Sequence, residues 1–402
     1  MKQLMLIAAA MLAGCCAVNT VPTPMNEALQ PFVDKEELSG AISILYKDGI
    51  EEISCVGWAD KENARPITLD STFMQCSQTK GFCGVTIAKL VEEGKLKLDD
   101  PVAKYLPEFK ELWVEKKNAD GTRTLVKAKN VLTVRMCLNH TGGFPFDLPN
   151  YTAMGGWSRK MPLRSVAATA AAQPIQFEPG TKTAYSNTGI DIGAAVVEVV
   201  TGKRWEEYVQ ETVLDPLGMS DSTFWPTEEM LSRRIFVYGL DKNATKTEKK
   251  PVQNSMQPPY GDDRVFASAG AGLWTTARDQ LKFYKMLMNL GLGENGVRIL
   301  KEETVKSILA VSTRPVEVAK GDGYSLGLRA PIKDGEDQWF GHGGAWGTNC
   351  FVNWHKRQLK LWVVQQVGGK NTWDKSRFAR VDRFFSEKAG SNTADAYTGR
   401  MK

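Results

Sequence analysis

Apolar positions change their spacing along the chain, and the changes mark out the elements. Gly40 to Lys47 and Ile50 to Trp58 are β-rich runs, and Asp48-Gly49 between them favours a tight hairpin turn. Met25 to Leu38 reads as a first helix, and Ser77 to Glu93 as a second one closed by Gly94. Further helices are expected over Ser165 to Ala172, Ile190 to Val200, Trp205 to Thr212 and Arg278 to Asn289. Asn118-Ala119-Asp120-Gly121 makes Lys116 to Lys129 a hairpin excursion, and Asp241 to Lys250 reads as a solvated loop. After Gly323 the pattern returns to strands: Tyr324 to Ala330, Gln338 to Gly341, Trp346 to His355 and Leu359 to Gln366, with a turn at Lys356-Arg357-Gln358. Trp373 to Lys388 is an amphipathic closing helix, and the residues after Gly390 a frayed tail.

Strands therefore gather at both ends and helices in between. This predicts an α/β fold of the α+β type: one antiparallel sheet of N- and C-terminal strands flanked by helices, with an inserted, mostly helical region. The expected division is a sheet part over 28–76 and 323–388, a helical part over 77–322 and a flexible tail over 389–402. No internal repeat of fixed period occurs.

Composition narrows the class. The 402 residues carry 51 Lys+Arg against 46 Asp+Glu, a net charge of +5, and 42% are hydrophobic. That excludes a disordered chain, a collagen and a multi-pass membrane protein. The basic excess is mild and forms no dense patch, so nucleic acid is not an expected partner. Three histidines and the absence of paired C-x-x-C spacing argue against a metal site.

The first residues read as an address. Lys2 precedes an apolar run from Leu4 to Leu12, too short to span a bilayer, and small residues follow. Leu12-Ala13-Gly14-Cys15 resembles the bacterial lipobox, which implies a signal peptide over 1–14, lipidation of Cys15 and a tether over 15–27. An ordinary cleaved signal is the alternative. The lipobox resemblance implies an exported, lipid-anchored protein of the cell envelope, periplasmic or in the outer membrane. Export permits disulfides. Five cysteines remain, Cys55, Cys76, Cys83, Cys137 and Cys350, so at least one stays free, and most read as buried small hydrophobes.

Among catalytic signatures, G-x-S-x-G, H-E-x-x-H and the P-loop are absent. Gly291, Gly293 and Gly296 form a G-x-G-x-x-G, but it follows a helical segment and reads as a helix end and turn. Ser77-Gln78-Thr79-Lys80 is the one S-x-x-K of the chain. Residues three apart share a helix face, about 5–6 Å between Cβ atoms. A desolvated lysine there can take the proton that makes serine a nucleophile. The Ser77 N–H at the helix start is suited to an oxyanion. A serine N-cap with a surface lysine is the bland alternative. Phe73-Met74-Gln75-Cys76 and Gly81-Phe82-Cys83-Gly84 surround Lys80 with apolar residues and weigh against it. Tyr185-Ser186-Asn187 offers a phenol to share a proton and an amide to hold both Lys80 and a substrate carbonyl, or else a core tyrosine and a turn asparagine. Gly341-His342-Gly343-Gly344-Ala345-Trp346-Gly347 puts many glycines in a strand, as close approach of a ligand or a bulge would require. His140-Thr141-Gly142 reads as structural, holding the turn before Phe144.

In this order, the three motifs resemble those of the β-lactamase-related serine hydrolases, which include class C β-lactamases, serine D,D-peptidases, D-aminopeptidases and esterases. The resemblance runs from about residue 28 to 387. It also covers Gly94 to Pro101, Leu138 to Gly143, Asp215 to Met219 and Ala271 to Asp279. It implies that Ser77 is the acyl-enzyme nucleophile, Lys80 its proton partner, and Tyr185 the base toward Ser77 and acid toward the leaving group. It implies that Asn187 binds Lys80 and substrate. His342-Gly343-Gly344 stands for the third motif, and the N–H groups of Ser77 and Ala345 form the oxyanion hole. Neither metal nor organic cofactor is implied. The β-lactamases carry Lys-Thr-Gly at the third motif. His342 and Gly343 replace its ammonium and hydroxyl here, at a cost of roughly 1.5–3 kcal/mol in holding a carboxylate. The expectation is a hydrolase of a small ester, amide or peptide, of the esterase or D-amino-acid peptidase type. The alternatives are a class C-like β-lactamase, a D-Ala-D-Ala carboxypeptidase, or, in another class, an inactive cell-wall-binding lipoprotein. Phe144, Tyr151, Trp157 and Tyr260 are candidates for an apolar pocket wall, or plain packing.

Overall fold

A computed structural model describes residues 24–47, 49–148, 160–240, 247–249, 264–313, 323–331 and 339–367. The lipobox, the tether up to residue 23, the expected helix from Trp373 to Lys388 and the tail lie outside them, as do Tyr151, Trp157 and Tyr260; residues 24–27 of the expected tether are helical instead.

Helix α1 (Pro24–Asp34) leads into strands β1 (Gly40–Lys47) and β2 (Ile50–Asp60), which pair across the predicted hairpin from Lys47↔Ile50 to Gly40↔Gly57. A short β3 (Arg65–Pro66) follows β2 at one edge of a six-stranded sheet. The other three strands come from the far end of the chain. The Gln358–Val363 strand lies against β1, with Ile42 opposite Val363, and the Thr348–Asn353 and Phe340–Gly344 strands follow outward. All five pairings are antiparallel. The mixed α/β architecture is thus the expected one, with the two ends of the chain interleaved in one sheet.

Alternation along β1 sorts its side chains. Ala41 and Leu45 face α1, where they pack with Met25, Leu29, Phe32, Val56 and Trp362. Ile42 and Ile44 face the main core, shared with the helical region. Helix α2 (Thr79–Glu92) sits in that core and is buried almost all round, with Phe82 stacked on Phe283 at 3.8 Å between centroids. An element buried on every side needs an apolar sequence on every side, which Phe82 to Leu90 supplies.

Several boundaries shift for physical reasons. Ser77 precedes the α-helix proper, inside a 3₁₀ turn over Cys76–Gln78, and Cys76 takes a left-handed φ of 52°. The helix from Trp205 ends at Val209 and widens into a π turn over Gln210–Leu214. Tyr324 to Ala330 is not a regular strand. Gly327, at φ 69°, folds the segment onto α2, where a Cβ would come within 2.2 Å of the Lys80 carbonyl oxygen. What remains of the pairing is Tyr324 opposite Arg329, and Arg329 opposite Gly341. The strand expected from Trp346 starts at Thr348, because Trp346 and Gly347 turn with φ of 34° and 87°. The hairpin excursion pairs Trp113–Lys117 with Arg123–Lys127. The Gly291-x-Gly-x-x-Gly run closes the Ala277–Met288 helix and turns, as the sequence suggests.

Candidate active site

The Cys76–Gln78 turn is anchored from below and behind. Gln280 donates to both Gln75 and Gln78, at 3.0 and 2.7 Å, and Gln78 donates to the Tyr284 hydroxyl. The Thr79 hydroxyl donates to the Cys76 carbonyl at 2.7 Å. From the sheet, the Thr348 hydroxyl donates to the Gln75 carbonyl, and a Cβ on Gly344 would stand 2.3 Å from that same oxygen. Gly344 therefore has a protein reason: it lets the Phe340–Gly344 strand close directly on the Cys76–Gln78 turn.

Three acceptors converge on the Lys80 ammonium. Nζ lies 3.1 Å from Ser77 Oγ, 2.6 Å from Asn187 Oδ1 and 2.6 Å from the Gly270 carbonyl oxygen. The lysine is wholly buried. Burial pushes its pKa down to about 8, against the opposing effects of Asp191, Tyr324, Asp147 and Cys76. The Tyr185 ring covers Nζ at 4.8 Å from its centroid.

Asn187 opens the Asn187–Thr201 helix, whose first turn is capped by the Ser186 hydroxyl accepting from the Gly189 N–H. Its Oδ1 faces Lys80, while its Nδ2 donates to Asp147 at 3.2 Å. Burial raises the Asp147 pKa, with Asn187 and Lys80 opposing. The Tyr185 hydroxyl and His342 Nε2 are 3.5 Å apart. His342, in the Phe340–Gly344 strand, is buried with its rim toward Tyr185, and Gly343 and Gly344 beside it are half-buried. Ala345 is exposed at the start of the turn. Its N–H and the Lys80 charge both favour the Cys76 thiolate, but burial outweighs them and holds that thiol up at about 12. Cys76 is therefore a neutral thiol beside Ser77.

Ser77, Lys80, Tyr185, Asn187 and His342 thus meet in one cluster although the chain separates them widely. His140, read from the sequence as structural, joins the cluster, and further members escaped the sequence reading. His140 brackets Tyr185: its carbonyl accepts from the Ala184 N–H and its Nδ1 from the Ser186 N–H. These bonds hold the segment that carries Tyr185. Tyr324 is fully buried, with its ring 4.7 Å from His140 and about equally far from Tyr185 and His342, at 6.0 and 5.9 Å. Arg329 Nε donates to its hydroxyl at 3.1 Å. Phe146 stacks on Tyr185 from outside and is exposed. Of its two readings, pocket wall or plain packing, Phe144 follows the second: it packs edge-on against Phe109 in the core. A carbonyl such as that of Gly270 leaves no mark in a sequence. Asp191 did leave one, a charge between Ile190 and Ile192 in a run whose one other charge is Glu198.

Comparison with known proteins sets this cluster in a family. The family model described as Beta-lactamase matches residues 25–366. A putative D-alanyl-D-alanine carboxypeptidase of Escherichia coli K12 is 28% identical over 306 residues, covering 71% of this chain and 67% of that protein. Protein Rv1367c of Mycobacterium tuberculosis is 28% identical over 287 residues, 70% of each chain. Among solved structures, unliganded simvastatin synthase from Aspergillus terreus superposes with a TM-score of 0.71 at 20% identity, over 90% of this chain and 97% of that one. EstCE1, a hydrolase with promiscuous acyltransferase activity, superposes with a TM-score of 0.69 at 21% identity, over 88% and 96%. These structures share the fold. The chain belongs to the beta-lactamase family, whose fold and serine-hydrolase ancestry it carries from α1 to the last strand of the sheet.

Proposed function

We propose that the protein is a serine hydrolase that cleaves a small ester, amide or peptide through an acyl-enzyme on Ser77. The supporting observation is the placement of Lys80 Nζ among Ser77 Oγ, Asn187 Oδ1 and the Gly270 carbonyl. An ammonium has three hydrogens for these three acceptors. Once neutral, the amine keeps two for Asn187 and Gly270 and turns its lone pair to the Ser77 hydroxyl. Ser77 Oγ then attacks the substrate carbonyl as its proton passes to Lys80. The developing oxyanion is held by the N–H groups of Ser77 and Ala345. Tyr185, its ring on Lys80 and its hydroxyl beside His342, relays a proton to the leaving group and afterwards helps activate water for deacylation. The spare Nδ2 hydrogen of Asn187 serves the substrate. No step calls for a metal or organic cofactor.

His342, in place of a lysine, weakens the hold on a carboxylate, which favours esters and amides over penicillins. A second reading, D-Ala-D-Ala carboxypeptidase, is favoured by the name of the Escherichia coli relative. A panel of p-nitrophenyl esters, D-amino-acid amides, a D-Ala-D-Ala peptide and nitrocefin separates the readings. Ester or amide turnover well above the other two supports the first; release of D-Ala supports the second. A fluorophosphonate probe tests the nucleophile. Wild type should label and Ser77→Ala should not; equal labelling of both would refute the assignment. On the sequence alone, we also propose export and lipid anchoring at Cys15.

A further inference from the structure

We propose that Asp191 is a positioning residue for Lys80, holding the Ser268–Gly270 segment so that the Gly270 carbonyl and the Asn187 amide close on the amine from two sides. The inference rests on the reading of Ser77 and Lys80 given above. Asp191 and Asn187 lie four residues apart on one helix, so both side chains emerge from the same face. Asn187 Oδ1 takes Lys80 directly at 2.6 Å. One turn on, the Asp191 carboxylate accepts from the Gly270 N–H at 3.1 Å and from the Ser268 hydroxyl at 3.2 Å. Gly270 is thereby fixed on both sides, its N–H on Asp191 through one bond and its carbonyl on Lys80 through another. One rigid helix face thus sets two of the three acceptors around the amine, and the nucleophile supplies the third.

A buried carboxylate is a costly way to hold a loop, because an amide would accept the same N–H without desolvating a charge. Asp191 is 4% exposed. The charge acts on Lys80, the cation among the groups that face it; the others are Asp147 and Cys83. Lys80 in turn faces Tyr185, Tyr324, Asp147 and Cys76 besides Asp191. Burial pushes Asp191 up to about 7, with the Gly270 N–H, Lys80 and Ser268 opposing. Lys80 and Asp191 thus titrate as neighbours, and the negative form of one favours the charged form of the other.

The test is the rate of fluorophosphonate labelling at Ser77 as a function of pH, with melting temperature measured in parallel. Asp191→Asn keeps the size and an acceptor for Gly270 but removes the charge. It should shift the acid limb of the labelling profile to lower pH by about one unit, since Lys80 loses an anion that favours its protonation. It should also slow labelling at the plateau about tenfold or more. Ser268→Ala keeps the charge and loosens the segment, and should slow labelling severalfold without moving the limb. A merely structural Asp191 would lower the melting temperature and leave the limb in place, and a wild-type limb in Asp191→Asn overturns the proposal. If Asp191→Asn does not fold, Ser268→Ala decides: an unchanged labelling rate overturns it. Ser77→Ala keeps the two failures apart, because labelling of that variant refutes the nucleophile itself, whatever Asp191 does.

Discussion

Lys80 shows what burial does to a single group. An exposed lysine is charged at every physiological pH and cannot accept a proton. Held without water, with its pKa near 8, Lys80 is neutral in about a tenth of molecules at pH 7 and in half at about pH 8. Because the neutral amine is the reactive form, acylation should rise with pH through about 8 and then level off. A stopped-time labelling series from pH 6 to 9.5 measures it, and a rate that falls over this range contradicts the role. Lys80→Met should cost about 100- to 10,000-fold in labelling rate at pH 8 while leaving the fold intact. His342 makes a separate case. If it meets an acidic substrate as imidazolium, activity on that substrate declines as pH rises, and His342→Gln flattens the profile. An unchanged profile in His342→Gln rules that contact out. The pairs Ser77–Lys80 and Tyr185–Asn187 were legible in the sequence because each is set by residue identity at short spacing, and the structure brings them together. Tyr324, Arg329 and the Gly270 carbonyl were not, since nothing local distinguishes them from packing or backbone.

Short elements aim these groups, and glycines decide how closely the elements approach. The turn over Cys76–Gln78 is clamped between a glutamine cluster and the edge of the sheet. Gly344 carries the sheet side of that clamp. Gly344→Val would put carbon within 2.1 Å of the Thr348 hydroxyl oxygen and 2.3 Å of the Gln75 carbonyl. The strand must withdraw, and the turn loses its support from Thr348. The expected result is a labelling rate down by tenfold or more and a stability loss of about 1–3 kcal/mol by urea denaturation. Wild-type labelling in a folded Gly344→Val would mean that the turn does not need the sheet. Periodicity gave most helices and strands to within a few residues, the accuracy at which a hydrophobic pattern speaks. It failed at Tyr324 to Ala330, where apolar alternation is real but Gly327 reverses the chain against Lys80. A close approach between distant segments is the quantity that local pattern does not contain.

On the scale of the molecule, the sheet joins the two ends of the chain. Gln358–Val363 lies against β1, so residues more than three hundred positions apart share one register. Strands at both ends were legible as hydrophobic runs, whereas their order was not, because it is fixed by long-range pairing. The same arrangement sets where the active site stands relative to the N-terminus. Met25, the second residue of α1, is buried against the sheet face opposite the main core. It lies ten positions after Cys15. With a maximal reach of about 3.5 Å per residue, an anchor at Cys15 keeps α1 within about 35 Å of the bilayer. The catalytic unit would then sample a shell one protein diameter deep rather than the whole compartment. Two or more acyl chains hold a protein firmly where one does not, so loss of the cysteine should be all-or-none. Expressed in a bacterial host, Cys15→Ala should move the protein from the membrane fraction to the soluble fraction. Its specific activity on a soluble ester should stay at the wild-type level, because no residue of the Ser77 cluster is touched. Membrane retention of Cys15→Ala would end the anchoring proposal and leave an uncleaved signal, or an apolar contact elsewhere on the surface, as the reason.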